Sequence, residues 1–331
     1  MEFIKLYNAI DVHAGGQPIR IFTGGIPHLT GNTQMKKQSE FIRHHDHIRR
    51  LLLSEPRGHN AMTGCLLTPP VTEDGAFGVW FMSNNGYEAL NAHGIIGVVT
   101  AQLETGQYPF TEMLIETSIG MINASAQYID GKVKEVSFDN VPSYVVEEAV
   151  LISHHDREVK LDIAYGGAFF AIVDISSLGE LTICEEHMPE LLSCGRSIMN
   201  SLAAMRAINH PLYPDMAGVH GVVFTDWSQQ EDGIIRNFTV YANGLFDRSP
   251  CGAGVCALMA FMFQRGELHV NQQKTYIGII GSSLLGRVSA ETTVASYPAI
   301  VPQISGNAHI MGFMSFVVDP ADPLKEGFLL R

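Results

Sequence analysis

The hydrophobic and polar positions of the chain follow two patterns, one typical of helices and one of short strands. An apolar face recurs through residues 33–54, which predicts an amphipathic helix that ends before Pro56, and residues 185–208 repeat the pattern. Residues 95–103 and 255–263 are instead apolar on nearly every side, which predicts two short helices buried all round. A sheet wrapped around each of them would bury such a helix.

Short apolar runs separated by glycine, proline and asparagine fill most of the remaining sequence. The order of strands, surface helix, strands and buried helix occurs twice, which predicts an internal duplication. We therefore predict an α+β fold of two pseudo-symmetric domains, each a sheet wrapped around a central helix. The N-terminal domain would comprise residues 1–125 plus about 308–331, and the second domain residues 126–307.

The composition is that of a compact globular protein, with 46% hydrophobic and 17% charged residues. A formal net charge of −13 argues against nucleic acid as a partner, because binding phosphates needs clustered Lys and Arg. No signal-peptide pattern opens the sequence and no apolar run approaches membrane-spanning length, so we expect a cytoplasmic protein without a membrane partner. Five cysteines without a CxxC pair favour free thiols.

The sharpest chemical signal is the segment Asp247–Gly254, a turn that delivers Cys251 to the first turn of a buried helix. A thiol placed there meets the positive end of the helix dipole, so we expect a lowered pKa and a thiolate. The glycines of the same helix start let a substrate approach its free N–H groups, which suit an anion such as a carboxylate.

A second segment, Asn85–Gly97, has the same layout, but Asn91 stands where the cysteine would be. If both helix starts face a cleft between the domains, their N–H groups would bind one carboxylate there. Asp247 and His93 would then flank a cationic amine, and Cys251 would point at the carbon between the two groups. Removing a proton from that carbon needs a positioned base.

No cofactor is expected, since the sequence has neither a phosphate-cradling glycine loop nor a lysine in a recognisable cofactor-binding context. No metal is expected either. The cluster His44–His47 lies on the first predicted helix, where adjacent side chains point to different faces, and we interpret it as a solvated polar face. The predicted chemistry is cofactor-free proton transfer at an α-carbon.

The chain resembles the proline racemase family, which includes 4-hydroxyproline epimerases and trans-3-hydroxyproline dehydratases. The resemblance runs nearly end to end, and its most specific block is the one around Cys251. It implies a diaminopimelate epimerase-like fold of two pseudo-symmetric domains with the active site between them. The matching blocks are DVHAGGQP (11–18), EPRGH (55–59), DIAYGG (162–167) and DRSPCG (247–252).

The resemblance also implies roles for individual residues. The family usually opposes two bases across the α-carbon; Cys251 matches the second, and Asn91 occupies the position of the first. Two pocket positions that aromatic side chains usually shield match Thr63 and Tyr241, and the small polar Thr63 favours a hydroxyproline over proline. The residues implied to bind the substrate are Ala92, His93, Gly94, Asp247, Gly252 and Ala253, with Asp247 and His93 at the ring nitrogen.

Asn91 is the departure from the family pattern. A carboxamide cannot act as a general base, yet asparagine is among the best N-cap residues, so binding should survive while two-base inversion should not. We predict a single-base enzyme that dehydrates a 3-hydroxyproline to a pyrroline carboxylate, although the family's dehydratases retain the first base and lack the second. The alternatives are a 4-hydroxyproline 2-epimerase or proline racemase, and an inactive imino-acid-binding homologue; the protein would be a monomer or a homodimer.

Overall fold

The structure is a computed structural model that describes residues 5–154, 157–205, 207–214, 216–241 and 244–330. The chain forms two compact units: unit 1 is Met1–Phe138 with Asn307–Arg331, and unit 2 is Asp139–Gly306.

Unit 1 takes most of its elements from the first part of the chain. Its long surface helix begins at the N-cap Thr33, whose side chain accepts a hydrogen bond from the Lys36 N–H. Its elements are β1 (Lys5–Ala14), β2 (Gln17–Gly24), α1 (Gln34–Leu53), β3 (Thr63–Thr68), β4 (Phe77–Ser83), β5 (Gly86–Glu88), α2 (Ala92–Glu104), β6 (Glu112–Thr117), β7 (Gly120–Ile129) and β8 (Lys132–Asp139).

Unit 2 is a continuous stretch of chain. Its elements are β9 (Ser143–His154), β10 (Arg157–Tyr165), β11 (Phe169–Asp174), α3 (Met188–Met205), β12 (Val219–Asp226), β13 (Ile234–Tyr241), α4 (Gly252–Gln264), β14 (Gln273–Ile277), β15 (Ser283–Val294) and β16 (Tyr297–Gly306). The chain then returns to unit 1 through β17 (Ala308–Val318), which pairs antiparallel with β1.

The pairing of the strands repeats between the units. In unit 1, β1–β2 and β3–β4 are antiparallel, whereas β2–β3 and β4–β6 are parallel. In unit 2, β10–β11 and β12–β13 are antiparallel, whereas β11–β12 and β13–β14 are parallel. Each parallel pair is joined through a helix, α1 and α2 in one unit and α3 and α4 in the other. The predicted fold class, two similar α+β units, is confirmed.

The second helix of each unit is buried by the sheet around it. In unit 1, α2 packs against β1, β2, β3, β7 and β17. In unit 2, α4 packs against β9, β10, β11, β15 and β16. Small residues allow the close approach: a Cβ at Gly97 would lie 2.7 Å from the Val12 side chain, and one at Gly166 would collide with the backbone of Ala253. Apolarity on all sides of these helices therefore predicted their burial correctly.

The sheet of unit 2 closes on itself. Strand β9 pairs with β10 on one side and with β16 on the other, where Tyr144 lies opposite Ala299 and Ser143 opposite Ile300. The closed set of strands from β9 to β16 therefore surrounds α4. No helix in the described part of the chain is long and apolar enough to cross a membrane.

The division between the units differs from the predicted boundaries. The structure divides the chain after Phe138 and after Gly306, whereas the sequence placed the divisions after residues 125 and 307. The predicted first boundary cuts through β7, whose pairing with β6 and β8 keeps residues 126–138 in unit 1.

Candidate active site

The N-terminus of α4 carries the candidate base. Cys251 is the N-cap residue, with extended backbone angles, and its Sγ accepts a hydrogen bond from the Gly254 N–H at 3.3 Å. Its carbonyl oxygen accepts the first helical hydrogen bond, from the Val255 N–H at 2.7 Å. The predicted turn that delivers a thiol to the start of a helix is therefore present.

Two further side chains meet the sulfur. The hydroxyl of Tyr241, at the end of β13, lies 2.6 Å from Oδ2 of Asp247 and 3.2 Å from Sγ of Cys251. Backbone hydrogen bonds hold these residues together, because the Tyr241 N–H donates to the Leu245 carbonyl and the Asp247 N–H donates to the Thr239 carbonyl. Tyr241, Asp247 and Cys251 thus form one connected cluster in unit 2.

The segment before the helix is firmly held. Ser249 and Pro250 are buried, and a Cβ at Gly278 would lie only 2.8 Å from the backbone nitrogen of Pro250. Gly252 and Ala253 begin the helix, and N–H groups in its first turn have no acceptor within the helix itself. An anion can therefore bind beside Cys251 without displacing a helical hydrogen bond.

The expected lowering of the Cys251 pKa is wrong for the free protein. Burial raises the pKa of the thiol well above its ordinary value, and the Asp247 carboxylate beside it raises it further. Hydrogen bonds from Tyr241 and Gly254 lower the pKa, but they do not offset desolvation and the neighbouring negative charge. The helix dipole alone does not make a thiolate here.

The N-terminus of α2 repeats the cap with an amide. Oδ1 of Asn91 accepts a hydrogen bond from the Gly94 N–H at 2.8 Å, and its Nδ2 donates to Oε2 of Glu88 at 2.8 Å. The two bonds fix which end of the amide faces the helix, since only the oxygen can accept from Gly94. A Cβ at Gly94 would collide with the ring of Phe81, so a glycine is required there.

The predicted site residues divide between the units. Asn91, Ala92, His93 and Gly94 form the start of α2, where His93 is 4% exposed. Thr63, also in unit 1, is the buried first residue of β3 and lies opposite Ser83 of β4. The predicted residues of unit 2 are Tyr241, Asp247, Cys251, Gly252 and Ala253. Their roles, and the predicted cleft, stay predictions.

Sequence reasoning missed two residues at these helix starts. Glu88 stands three positions before Asn91, and the signal was available, because a carboxylate three residues away can reach an N-cap side chain. His220 is the other: its ring centroid lies 5.1 Å from that of Tyr241. Burial lowers the pKa of His220 while Asp247 raises it. The pairing of β12 with β13 brings His220 to this cluster, so its position there cannot be predicted from a local sequence pattern.

Another cysteine of α4 has a structural environment. Cys256 is fully buried, accepts a hydrogen bond from Nδ2 of Asn140 at 2.9 Å, and burial raises its pKa to about 12. That agrees with the interpretation of Cys256 as a core residue.

The segment His44–His47 on α1 includes Asp46, which forms an ion pair with Arg49. Asp46 accepts hydrogen bonds from Arg49 at 2.7 Å and from the Tyr87 hydroxyl at 2.8 Å. These bonds lower the pKa of the Asp46 carboxyl. Within the described ranges, no three His, Cys, Asp or Glu side chains are grouped so as to hold a metal ion.

The comparisons with known proteins agree with one another. The family model described as proline racemase matches residues 9–329. The trans-3-hydroxy-L-proline dehydratase of Bacillus thuringiensis subsp. konkukian is 40% identical, and the proline racemase of Clostridioides difficile 38%, each over the whole of both chains. A crystal structure of a hydroxyproline epimerase from Agrobacterium vitis, with bound trans-4-hydroxy-L-proline, superposes with a TM-score of 0.89 at 31% identity, covering 100% of this chain and 96% of that one. The chain therefore belongs to the proline racemase family.

Proposed function

We propose that this protein removes the α-proton of a proline-type imino acid without a cofactor, using Cys251 as its single base, and that it dehydrates a trans-3-hydroxyproline. The observation that carries the proposal is the difference between the two helix starts. Cys251 carries an ionisable thiol beside Asp247, whereas Asn91 carries an amide held by Gly94 and Glu88. One base suffices for elimination but not for two-base inversion.

Substrate recognition would use both helix starts. In this proposal the carboxylate binds N–H groups at Ala92, His93, Gly252 and Ala253, and Asp247 with His93 binds the cationic ring nitrogen. Asp247 is 7% exposed, so little water would weaken its charge-assisted hydrogen bond to a cation that reaches it. Thr63, a small hydroxyl side chain, would leave room for the substrate's ring hydroxyl.

The stereochemistry of the substrate fits a base on one face. In trans-3-hydroxyproline the hydroxyl and the α-hydrogen lie on the same face of the ring, because both are opposite the carboxylate. Cys251 thiolate would take the α-proton, the Cα–H electrons would form the Cα–C3 double bond, and the C3–O bond would break. The departing hydroxide would take the proton from the Cys251 thiol, which restores the thiolate and releases water. The enamine product then tautomerises to a pyrroline carboxylate.

The names of the relatives support this choice and also the second candidate. The relative at 40% identity is a trans-3-hydroxy-L-proline dehydratase, which favours dehydration. A 4-hydroxyproline 2-epimerase of Streptosporangium roseum is 36% identical over the full length of both chains, which favours the alternative of an epimerase or racemase. Inversion would need another proton donor on the Asn91 side, such as Glu88 acting through a water molecule.

The experiment is incubation of proline and of each 3- and 4-hydroxyproline stereoisomer with the protein in heavy water, followed by proton NMR. Loss of water from one enantiomer of trans-3-hydroxyproline supports the proposal. Deuterium incorporation with inversion supports the epimerase or racemase instead. Binding of a hydroxyproline without exchange or product, measured by calorimetry, would leave an imino-acid-binding homologue. Cys251→Ser is the matched control, because serine keeps the helix cap and is a far weaker base.

A further inference from the structure

The hydroxyl of Tyr241 has two acceptors and one proton. It lies 2.6 Å from Oδ2 of Asp247 and 3.2 Å from Sγ of Cys251, so both atoms are within hydrogen-bond reach. A phenol has a single O–H donor, so it donates a strong hydrogen bond to only one acceptor at a time. In the free protein the shorter distance and the charge of the carboxylate favour Asp247 as the acceptor.

Tyr241 keeps this proton under all ordinary conditions. Burial of the hydroxyl raises its pKa well above the usual value, and the charge of Asp247 raises it further. The hydroxyl is therefore always a donor, and only its acceptor can change between Asp247 and Cys251. Around it stand Asp247 from the turn after β13, Cys251 from the start of α4 and the ring of His220 from β12.

We propose that Tyr241 is a positioning residue whose hydroxyl exchanges acceptors: it donates to Asp247 in the free protein and to the sulfur of Cys251 once a cation occupies Asp247. This inference rests on the proposed function for the identity of the cation, the ring nitrogen of the imino acid. The competition between the two acceptors is a property of the protein alone.

Because of this exchange, the Cys251 thiolate would form only when substrate is present. A cation at Asp247 cancels the negative charge that opposes ionisation of the Cys251 thiol, and the freed hydroxyl then stabilises the thiolate. Both changes favour the same ionisation. In the free protein the sulfur stays protonated, which protects a buried thiol from oxidation and alkylation.

The test removes each partner and follows ionisation of the sulfur directly. The protein is labelled with cysteine carrying ¹³C at Cβ, and the Cys251 signal is assigned by its loss in Cys251→Ser. Its chemical shift is titrated in wild type, Asp247→Ala, and the double variant Asp247→Ala/Tyr241→Phe. We expect wild-type Cys251 to stay a thiol to at least about pH 9, and Asp247→Ala to ionise at lower pH. The double variant should ionise about one pH unit above Asp247→Ala, the effect of one hydrogen bond to a charged group.

Equal midpoints in Asp247→Ala and the double variant would overturn the proposal, and so would an Asp247→Ala midpoint no lower than that of wild type. If Asp247→Ala does not fold, Asp247→Asn removes the charge while keeping the side-chain size, with the same expected order of midpoints. Tyr276→Phe is the matched control for loss of a buried hydroxyl in unit 2. The Tyr276 hydroxyl lies against Sδ of Met262, so its removal should leave the Cys251 midpoint unchanged.

A ligand arm separates this inference from the proposed function. Saturating proline supplies the ring nitrogen and carboxylate but no hydroxyl to expel, and it should lower the midpoint in wild type more than in Tyr241→Phe. If proline binds, as calorimetry would show, and has no effect on the midpoint while the variants behave as expected, the ring nitrogen is not the cation at Asp247 and the proposed substrate recognition fails. If proline lowers the midpoint equally in both proteins, the exchange of acceptors fails and the proposed function stands.

Discussion

The starts of α2 and α4 share one geometry and differ in the chemistry placed on it. In each, a non-helical N-cap residue accepts a hydrogen bond from the N–H three residues later, at 2.8 Å for Asn91 and 3.3 Å for Cys251. The amide oxygen makes the stronger cap, because sulfur is a weak acceptor. The thiol makes the weaker cap but can ionise, and two polar side chains meet it.

Under the proposed function, this difference would make anion binding and proton transfer separable in this fold. A helix start binds a carboxylate through backbone groups that the cap residue does not alter. The proposed reaction would depend on the cap side chain and its neighbours, and those differ between the units. Under the proposed function, a neutral Asn91 held by Glu88 would keep a binding site and lack a base.

Cys251→Ser is expected to have the largest effect. Loss of the only proposed base should lower the rate of α-proton exchange into substrate by about a thousandfold, since general bases contribute that order of rate. Proton NMR in heavy water measures the exchange. The affinity for proline should change little, and exchange at the wild-type rate would show that another group is the base.

Asn91→Cys should have the next largest effect, because it supplies a base at the matching position of α2. We expect interconversion of proline or hydroxyproline isomers to appear or to rise by about a hundredfold. Chiral chromatography of the products measures it. Asn91→Ser is the control, since it caps the helix but is not a base near neutral pH. If Asn91→Cys shows no gain in interconversion, positions 91 and 251 are not equivalent in the way proposed.

The pH dependence of Cys251 reactivity should be a smaller, graded effect. Because burial and Asp247 raise the thiol pKa, the thiolate fraction should climb about tenfold per pH unit between pH 7 and pH 9. Mass spectrometry of the Cys251 peptide after brief iodoacetamide treatment gives the rate. A plateau already at pH 7 would mean that the helix dipole lowers the pKa after all. Cys65, which is fully buried, serves as an internal reference that stays unmodified.

Asn91→Ala should have the smallest effect, on stability alone. Removing a good N-cap costs about 1 kcal/mol of the free energy of unfolding. Urea unfolding followed by circular dichroism measures it, and Asn91→Ser should recover most of the loss. If Asn91→Ala is as stable as wild type, the hydrogen bonds to Gly94 and Glu88 do not stabilise α2.

Much of the fold could be predicted because its periodic patterns are local. The face through residues 33–54 gave α1 at Gln34–Leu53, and the all-apolar stretches gave α2 and α4. The N-cap role of Asn91 followed from residue type alone. The end of unit 1 did not follow, because β8 belongs there through its pairing with β7, and strand pairing leaves no local mark.

The chemistry at Cys251 was harder to predict than its location. A helix start implies a lowered thiol pKa, but the sequence does not show how deeply the sulfur is buried or that Asp247 turns back toward it. The contact of Tyr241 with both groups likewise depends on the turn between β13 and α4. Desolvation and charge at short range outweigh the dipole, and both are properties of the folded chain.

The order of the strands along the chain has a consequence for synthesis on the ribosome. Unit 2 is one uninterrupted stretch, so every strand that encircles α4 has been made before β17 begins. The sheet of unit 1 is complete only after β17 has been made and has paired with β1, although the other strands of unit 1 are made first. Unit 2, which carries Cys251, can therefore fold from one continuous segment, whereas unit 1, which carries Asn91, needs both ends of the chain.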